Sequence, residues 1–295
     1  MCNTRALPDF IASFATEGSS QKLLSSGAYN SVQPDCFPVV ISTQGSMHSQ
    51  RISMQKRVPL SPESPNCSTC MLGHVCIPIG MAASDVQKLD TLVQERVRLT
   101  KGTILYTQQD TLDAVYSVRY GSLKTQVEDA AGHIQITGFN LPGEMIGLDG
   151  MLEGRHVSTA IATEDTEVCV IRLSQIDQVA NQLPSLQHQM RRLMSRELGR
   201  SYQLLASLGS LRSEQRLAGF LLNLSQRYAA LGYSSTEFLL RMGREEIGNY
   251  LGLTLETTSR LFSRFAREKL ISIRQREVQL LDVPALKLLL GQESC

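Results

Sequence analysis

The chain has 295 residues, of which 42% are hydrophobic and 19% charged, and its formal net charge is +1. This length allows two domains of ordinary size, and the composition excludes a disordered or fibrous chain. The near-zero charge gives no overall sign of a nucleic-acid partner, so any basic surface must be local. Because no apolar run approaches the roughly 18 residues that span a bilayer and the N-terminus lacks a secretory signal, we expect a cytoplasmic protein with no membrane partner.

Residues 1–66 are rich in Ser, Gln, Asn and Pro and show no sustained hydrophobic period. Such a composition predicts a mostly disordered extension. Met47 and Met54 lie within this stretch. A natural start downstream of Met1 is therefore a hypothesis, and mass spectrometry of the native N-terminus would test it.

Three cysteines follow in a C-x2-C-x5-C arrangement, Cys67, Cys70 and Cys76. In a reducing cytoplasm, clustered thiols indicate metal or redox chemistry rather than a structural disulfide. A tetrahedral iron or zinc site needs a fourth ligand, which either His74 in the same loop or Cys169 in a later strand can supply. The residues alone leave four possibilities open: an iron–sulfur site, a zinc site, a thiol switch or no site.

From about residue 97 to 172 the chain consists of short β-rich runs such as TILYT, AVYSVRYGSLKTQV, HIQITGF and EVCVIRL, separated by glycines. Many short strands with glycine turns predict an antiparallel sandwich or a barrel-like roll.

A long helix is predicted to begin at Pro184, which fits a first helical turn, and to run to about Leu211. Its apolar stripe has the spacing of a coiled coil and consists of Met190, Met194, Leu198, Ser201, Leu205 and Leu208. The stripe either packs on its own domain or forms a dimer seam. A helix of this length between two domains has little core of its own to cover it, so we predict a homodimer.

Residues 244–268 read as two helices joined by a tight turn at Gly252, with Thr254 as the cap of the second helix. The predicted inner face is Thr258, Leu261, Phe262 and Phe265. The predicted outer face is Glu256, Thr257, Ser259, Arg260, Ser263, Arg264 and Arg267. Arg and Glu near the N-terminal end suit a helix that reads base edges in the major groove. We therefore predict binding to double-stranded DNA over a solvated helix of an ordinary bundle.

Three stretches together resemble the FNR regulators of the Crp/Fnr superfamily: residues 67–78, which include CIP; residues 135–147, QITGFNLPGEMIG; and residues 247–265, IGNYLGLTLETTSRLFSRF. The resemblance covers residues 67–281 in one order and leaves residues 1–66 outside. It implies an α+β fold in three parts. These are a Cys-rich loop with an antiparallel, cyclic-nucleotide-binding-like β-roll as the sensor domain (67–183), a long dimerisation helix (184–212) and a winged helix-turn-helix (213–295).

The same resemblance implies an oxygen-labile [4Fe–4S] cluster, with Cys67, Cys70, Cys76 and Cys169 as its ligands. His74 then becomes a neighbour of the site. The remaining cysteines, Cys2, Cys36 and Cys295, match nothing in the family pattern.

The resemblance also implies that the recognition-helix pattern E-x2-S-R falls on Glu256, Ser259 and Arg260, which would read a TTGAT/ATCAA palindrome. Thr257 and Arg264 are expected to contact the same DNA. A cyclic nucleotide is not expected, because Val157 precedes Ser158 where an anion-binding Arg would be needed.

The function implied is an oxygen-sensing transcription regulator and not an enzyme. The intact cluster would promote dimerisation and DNA binding without oxygen, regulating the switch to anaerobic metabolism, and activation would require contact with RNA polymerase. The alternative is a regulator of the same family with a zinc site or a thiol–disulfide switch at the cysteines.

Overall fold

The computed structural model describes residues 55–59 and 66–291. Most of the predicted disordered extension, both candidate start sites and the three unmatched cysteines lie outside the described residues. The described strands and helices follow in this order: β1 (Gln55–Pro59), α1 (Ala83–Lys88), β2 (Val93–Leu99), β3 (Ile104–Tyr106), β4 (Ala114–Tyr120), β5 (Leu123–Glu128), β6 (Ile134–Asn140), β7 (Met145–Ile146), β8 (Thr159–Ala162), β9 (Thr166–Arg172), α2 (Leu173–Ala180), α3 (Pro184–Ser210), α4 (Ser213–Ala230), β10 (Glu237–Leu239), α5 (Arg244–Leu251), α6 (Leu255–Arg267), β11 (Ile271–Arg274), β12 (Glu277–Leu280) and α7 (Val283–Leu289).

The N-terminal half forms a roll of two antiparallel sheets, with strand orders β1-β2-β9-β4-β7 and β3-β8-β5-β6. Alternating residues of both sheets point inward and form a core that includes Val97, Val118, Leu123 and Val168. This period-2 burial is the pattern expected of strands with one face in a core. The predicted antiparallel β-roll is confirmed.

Strand β1 is one short ordered segment within residues 1–66, which the sequence predicts to be mostly disordered. Gln55–Pro59 pairs antiparallel with β2, so that Arg57 faces Val97. Arg57 also lies 3.9 Å from Glu95 in an ion pair. The strand escapes sequence reasoning because it is five residues long and ends in a proline, which a sheet accepts only at such an edge.

Helix α3 has two unlike halves. Pro184 occupies its first turn, and Leu186, Met190 and Leu193 are buried against the roll. Met190 therefore packs on its own domain, contrary to its prediction as part of a dimer seam. Farther along, the apolar side chains of Met194, Leu198, Tyr202 and Leu205 are exposed.

The C-terminal domain joins helices α4 to α7 to a three-stranded sheet of order β10-β12-β11. Its core includes Leu217, Leu221, Ile247 and Phe265, all at most 1% exposed. The turn between α5 and α6 is made by Gly252 in the left-handed conformation, φ +63°, which glycine adopts without steric cost. The predicted helix-turn-helix with an adjacent strand pair is confirmed, and β10 adds a third strand to it.

The C-terminal domain docks on strand β6, the edge strand of its sheet. The Oδ1 atom of Asn249 in α5 accepts from the amide of Ile136 at 2.6 Å, and its Nδ2 atom donates to the carbonyl of Ile134 at 2.7 Å. These bonds satisfy backbone groups that an uncovered edge would leave to solvent. In the described part of the chain, no helix has both the length and the apolar character of a membrane span.

Candidate metal centre and nucleic-acid interface

All four cysteines predicted as ligands line one cavity, whose free volume is about 30 Å³. Cys67 begins one 3₁₀ turn, Cys70 precedes a second, Met71–His74, and Cys76 follows it. Cys169 lies in the middle of β9. The structure thus brings together a sequence-local trio and a residue about ninety positions later.

The cysteine loop is fixed to the chain that follows it. Asp90 accepts from the backbone amide of Ser68 at 2.8 Å and from its hydroxyl at 2.7 Å. Within the loop, the amide of Gly73 donates to the carbonyl of Cys70 and that of Cys76 donates to Leu72. Because these bonds close successive short turns, the three thiols lie on the same side of the loop, toward the cavity.

The loop also rests on the turn between β6 and β7. Gly143 has φ +83°, and a Cβ atom there would lie 2.5 Å from Cγ2 of Val75. A side chain at this position would both strain the backbone and push the loop away. Gly143 therefore lets the segment between Cys70 and Cys76 approach the roll.

Cys169 is held between two neighbouring strands. Its register partners are Arg96 in β2 and Ser117 in β4. The Ser117 hydroxyl lies 3.0 Å from the Cys76 sulfur. Ser117 thus contacts the loop from the strand beside Cys169, which places the loop over the centre of the sheet.

The four thiols are free and half-buried. Burial raises the pKa of Cys67, Cys76 and Cys169, that of Cys169 to about 11. Neighbouring thiols of the group add to the increase for Cys67 and Cys169. A raised pKa favours the protonated thiol, which is a poor nucleophile.

His74, the other candidate for the fourth ligand, does not line this cavity. Its side chain is exposed, and its Nδ1 atom lies 2.9 Å from the carbonyl of Met71. Among the described residues, no three side chains of His, Cys, Asp or Glu lie close enough to hold a single metal ion. The geometry gives no support to a three-cysteine, one-histidine zinc site.

Two arginines that sequence reasoning missed, Arg96 and Arg119, are the only charged residues among the described ones lining the cysteine cavity. Arg96 is 8% exposed and within hydrogen-bond reach of the Cys169 thiol. Single arginines in β-strands carry no motif. Only the pairing of β2 and β4 with β9 could have identified them.

The recognition helix α6 has the faces that its sequence predicts. Thr254 caps it by accepting from the amide of Thr257 at 3.1 Å, as predicted. The buried side chains are the four of the predicted inner face, Thr258, Leu261, Phe262 and Phe265. The opposite face, which holds the predicted DNA contacts, is exposed or half-buried.

The five residues predicted to contact DNA differ in burial and in the partners that their side chains have within the chain. Glu256 and Arg260 form an exposed ion pair of 2.5 Å across one turn. Thr257 takes part in the cap, since its hydroxyl accepts from that of Thr254 at 2.9 Å. Ser259 is half-buried. Arg264 is paired within its own chain, with Glu268 at 2.8 Å and with Glu214 of α4.

A second cavity, of about 250 Å³, lies between the roll and α3. The charged side chains among its described lining residues are the carboxylates Asp149 and Glu197. Arg155 lies three residues before Ser158 of the cavity lining, but its guanidinium group donates to the carbonyl of Gln109 at 2.9 Å. An anionic ligand would meet negative rather than positive charge in this cavity.

The segment after Cys76 connects the cysteine cavity to α3. Ile77 is 2% exposed and shares one apolar cluster with Leu186, Met190 and Leu193 of the helix. The buried side-chain amide of Gln189 donates to the carbonyl of Ile79. A displacement of the cysteine loop would therefore directly change the packing of the first half of α3.

Comparison with protein families gives two matches along the chain. Residues 96–182 match the cyclic nucleotide-binding domain, and residues 215–289 match the Crp-like helix-turn-helix domain. These ranges coincide with the roll and with the domain that contains α5 and α6.

Comparison with individual proteins agrees with this assignment. The chain is 72% identical over 242 residues to the transcriptional regulatory protein btr of Bordetella pertussis, covering 82% of this chain and all of the relative. It is 37% identical over 226 residues to the anaerobic regulatory protein of Haemophilus influenzae, covering 77% and 88%. Among solved structures, FixK2 of Bradyrhizobium japonicum matches with a TM-score of 0.60 and 26% identity, covering 68% and 97%.

Proposed function

Because the chain belongs to the Crp/Fnr family of DNA-binding transcription regulators, we propose that it is an oxygen sensor with a [4Fe–4S] cluster. The cluster would be held by Cys67, Cys70, Cys76 and Cys169. The single observation that carries the proposal is the convergence of these four free thiols on one cavity. The name of the relative from H. influenzae supports a role in anaerobic regulation.

The donor set fits a cluster better than a single ion. Four thiolates on one Zn²⁺ must each approach it to about 2.3 Å, and no three described ligands come together in that way. In a [4Fe–4S] cluster each thiolate binds a different iron, so the sulfurs stand farther apart. The four sulfurs line a cavity with a free volume of about 30 Å³, and the loop that covers it has an exposed outer side at Met71.

A thiol–disulfide switch is the weaker alternative. Disulfide formation begins from a thiolate, and burial raises the pKa of three of the four thiols. Neutral thiols of this kind react slowly with oxidants but still bind a metal, which displaces their protons.

A bound cluster would supply the reactivity toward oxygen, and Cys67, Cys70 and Cys76 of the loop and Cys169 of β9 would hold it. The chain itself transmits the result. Ile77 and Ile79 hold the first half of α3 through the shared apolar cluster and Gln189. Sensing is then a shift in population between packings of α3, and hence between monomer and homodimer.

The homodimer would use the exposed apolar side chains of α3 as its seam, namely Met194, Leu198, Tyr202 and Leu205. A two-fold dimer presents two copies of α6 to successive major grooves, about 34–36 Å apart. Glu256, Ser259 and Arg260 would read each half of a TTGAT/ATCAA palindrome. We propose that the protein acts in the cytoplasm and contacts RNA polymerase there.

No cyclic nucleotide takes part in this proposal. The cavity between roll and α3 offers the carboxylates Asp149 and Glu197 and, among the described residues, no lining cation. A cyclic phosphate would therefore be buried against like charge, which is strongly unfavourable.

The test is DNA affinity with and without oxygen. Anaerobically purified protein is titrated onto a labelled duplex carrying the palindrome, with a duplex of scrambled half-sites as control. We expect binding under nitrogen and an affinity about 5- to 150-fold lower after exposure to air. Adding a thiol reductant without iron should not restore binding; full recovery would favour the disulfide switch. Equal affinity before and after air would contradict oxygen sensing.

A further inference from the structure

The charged side chains among the described residues that line the cysteine cavity are all positive. Arg96 and Arg119 line it, and none of its other described lining residues is charged. Arg96 has a side chain 9% exposed, and the Nε atom of Arg119 is buried without a hydrogen-bond partner. Burying guanidinium groups is costly unless negative charge compensates them.

Among the described residues, one carboxylate pairs with both of these arginines. Glu167 lies 2.7 Å from Arg119, 2.8 Å from Arg98 and 3.7 Å from Arg96. Three guanidinium groups are thus held near the same carboxylate. Glu167 and Cys169 are two residues apart on β9, so their side chains lie on the same face of the sheet.

Resting on the proposed function, we propose that Arg96 and Arg119 are positioning residues for the bound cluster, compensating the negative charge of its four thiolates. Arg96 faces Cys169 across the β2–β9 pair, and Arg119 reaches the same cavity from the end of β4. Glu167 pairs with both groups and orients them.

The physical basis is the charge of the occupant. Four cysteine thiolates give an iron–sulfur cluster a net negative charge, and hydrogen bonds and charges around it set its stability. Two guanidinium groups in a water-poor cavity stabilise such an anion more strongly than they would in solvent. Without them, the protein would hold the cluster less tightly.

A purely structural role for the arginines makes a different prediction. If they serve only Glu167, then Arg98 is equivalent to them, since it donates to Glu167 but does not line the cavity and is 62% exposed. Arg98→Met is therefore the matched control for Arg96→Met and Arg119→Met. Arg96→Lys retains the charge and should retain most of the effect.

The experiment measures cluster retention. Full-length wild type and variants are reconstituted with iron and sulfide under nitrogen, and transfer of iron to a chelator is followed by absorbance. We expect Arg96→Met and Arg119→Met to hold iron about 10- to 100-fold less tightly than wild type, with Arg98→Met close to wild type and Arg96→Lys in between. Thermal unfolding of the metal-free proteins separates loss of cluster affinity from loss of fold, and Arg119→Met, at a half-exposed site, keeps the test informative if Arg96→Met does not fold.

Equal iron retention in wild type, Arg96→Met and Arg119→Met would overturn the inference, as would an equal loss in Arg98→Met. Failure of the proposed function has a separate signature, because wild type would then take up no iron and sulfide in a defined ratio.

Discussion

Two of the side chains on helix α6 that we propose to contact DNA form a weak pair with each other. Glu256 and Arg260 are 72% and 78% exposed and form an ion pair across the turn. Exposed pairs of this kind contribute about 0.3–0.5 kcal/mol. Because a bidentate contact with guanine is worth more than that, DNA can break the pair at little cost. Arg264 differs, since it would have to leave two carboxylates.

Replacement of Arg260 by alanine tests this reading. We expect Arg260→Ala to cost about 1–3 kcal/mol of DNA-binding free energy and to relax the preference for guanine at one position. Anisotropy titrations on the palindrome and on a single-base variant measure both effects. Arg267→Ala, an exposed change in the last turn of the same helix, is the control. An equal loss on specific and scrambled DNA would make Arg260 a phosphate contact.

At this scale, sequence reasoning found residues that belong to patterns and missed those that do not. The spacing of Cys67, Cys70 and Cys76 is visible in the sequence, and resemblance added Cys169. Arg96 and Arg119 lie next to that site only because β2 and β4 pair with β9 in one register. Register between distant strands is not encoded in a local pattern.

Among the elements, helix α3 has two halves with different surroundings. Its first half is buried in the roll, next to the segment that follows Cys76. Its second half exposes Leu198 and Leu205, 53% and 65%. A contiguous exposed apolar stripe at coiled-coil spacing is stable in water when a second helix covers it.

A charge placed in this stripe should prevent dimerisation. We expect Leu198→Glu to be monomeric at concentrations where the wild type is dimeric, and to lose DNA affinity with it. Sedimentation velocity under nitrogen measures the change. Gln203→Glu adds the same charge on the opposite side of the helix and should remain dimeric. A dimeric Leu198→Glu protein would place the seam elsewhere.

Elements with a strong hydrophobic period could be predicted from the sequence, whereas two of the short strands could not. The long helix, the helix-turn-helix and the main strands of the roll follow from apolar spacing and glycine turns. Strands β1 and β10 have five and three residues. Such segments become strands only because a neighbour supplies hydrogen bonds, so tertiary context decides them.

In the whole molecule, a buried carboxylate joins the roll to the two helices beyond it. Glu144, 7% exposed, lies 2.5 Å from Arg200 of α3 and 2.5 Å from Arg227 of α4. Burial alone would raise its pKa, but the charges of Arg227 and Arg200 outweigh burial and lower it below the usual 4.5. The folded protein therefore holds Glu144 ionised.

Removing this charge should weaken the whole molecule. We expect Glu144→Gln to lower the free energy of unfolding of the metal-free protein by about 3–5 kcal/mol, because two half-buried arginines lose their buried anion. Since the folded pKa is lowered, the contribution is fully present above the unfolded value of 4.5 and is lost as pH falls through the folded pKa.

Urea unfolding of wild type and variant at several pH values measures this difference. It should be largest near pH 7 and shrink at acidic pH below 4.5. Glu197→Gln, whose carboxylate is 45% exposed and lies 3.4 Å from Arg200, is the control with a smaller expected effect. A difference that does not change with pH would contradict the role of the charge.

The docking of the two halves could not be read from the sequence. Asn249 reaches the backbone of β6 more than a hundred residues away, and Lys124 pairs with Glu246 at 2.8 Å. Each is an ordinary polar residue in its own segment. Their partners become apparent only when both domains are placed side by side.

The central claim is that four thiolates of this chain hold an iron–sulfur cluster, and metal analysis of anaerobically purified protein tests it most directly. We predict about four iron and four acid-labile sulfide per protomer in the wild type, their loss in Cys169→Ser, and wild-type content in Cys2→Ser, the control for changing a cysteine elsewhere. Zinc without sulfide in the wild type, or full iron and sulfide in Cys169→Ser, would contradict the claim.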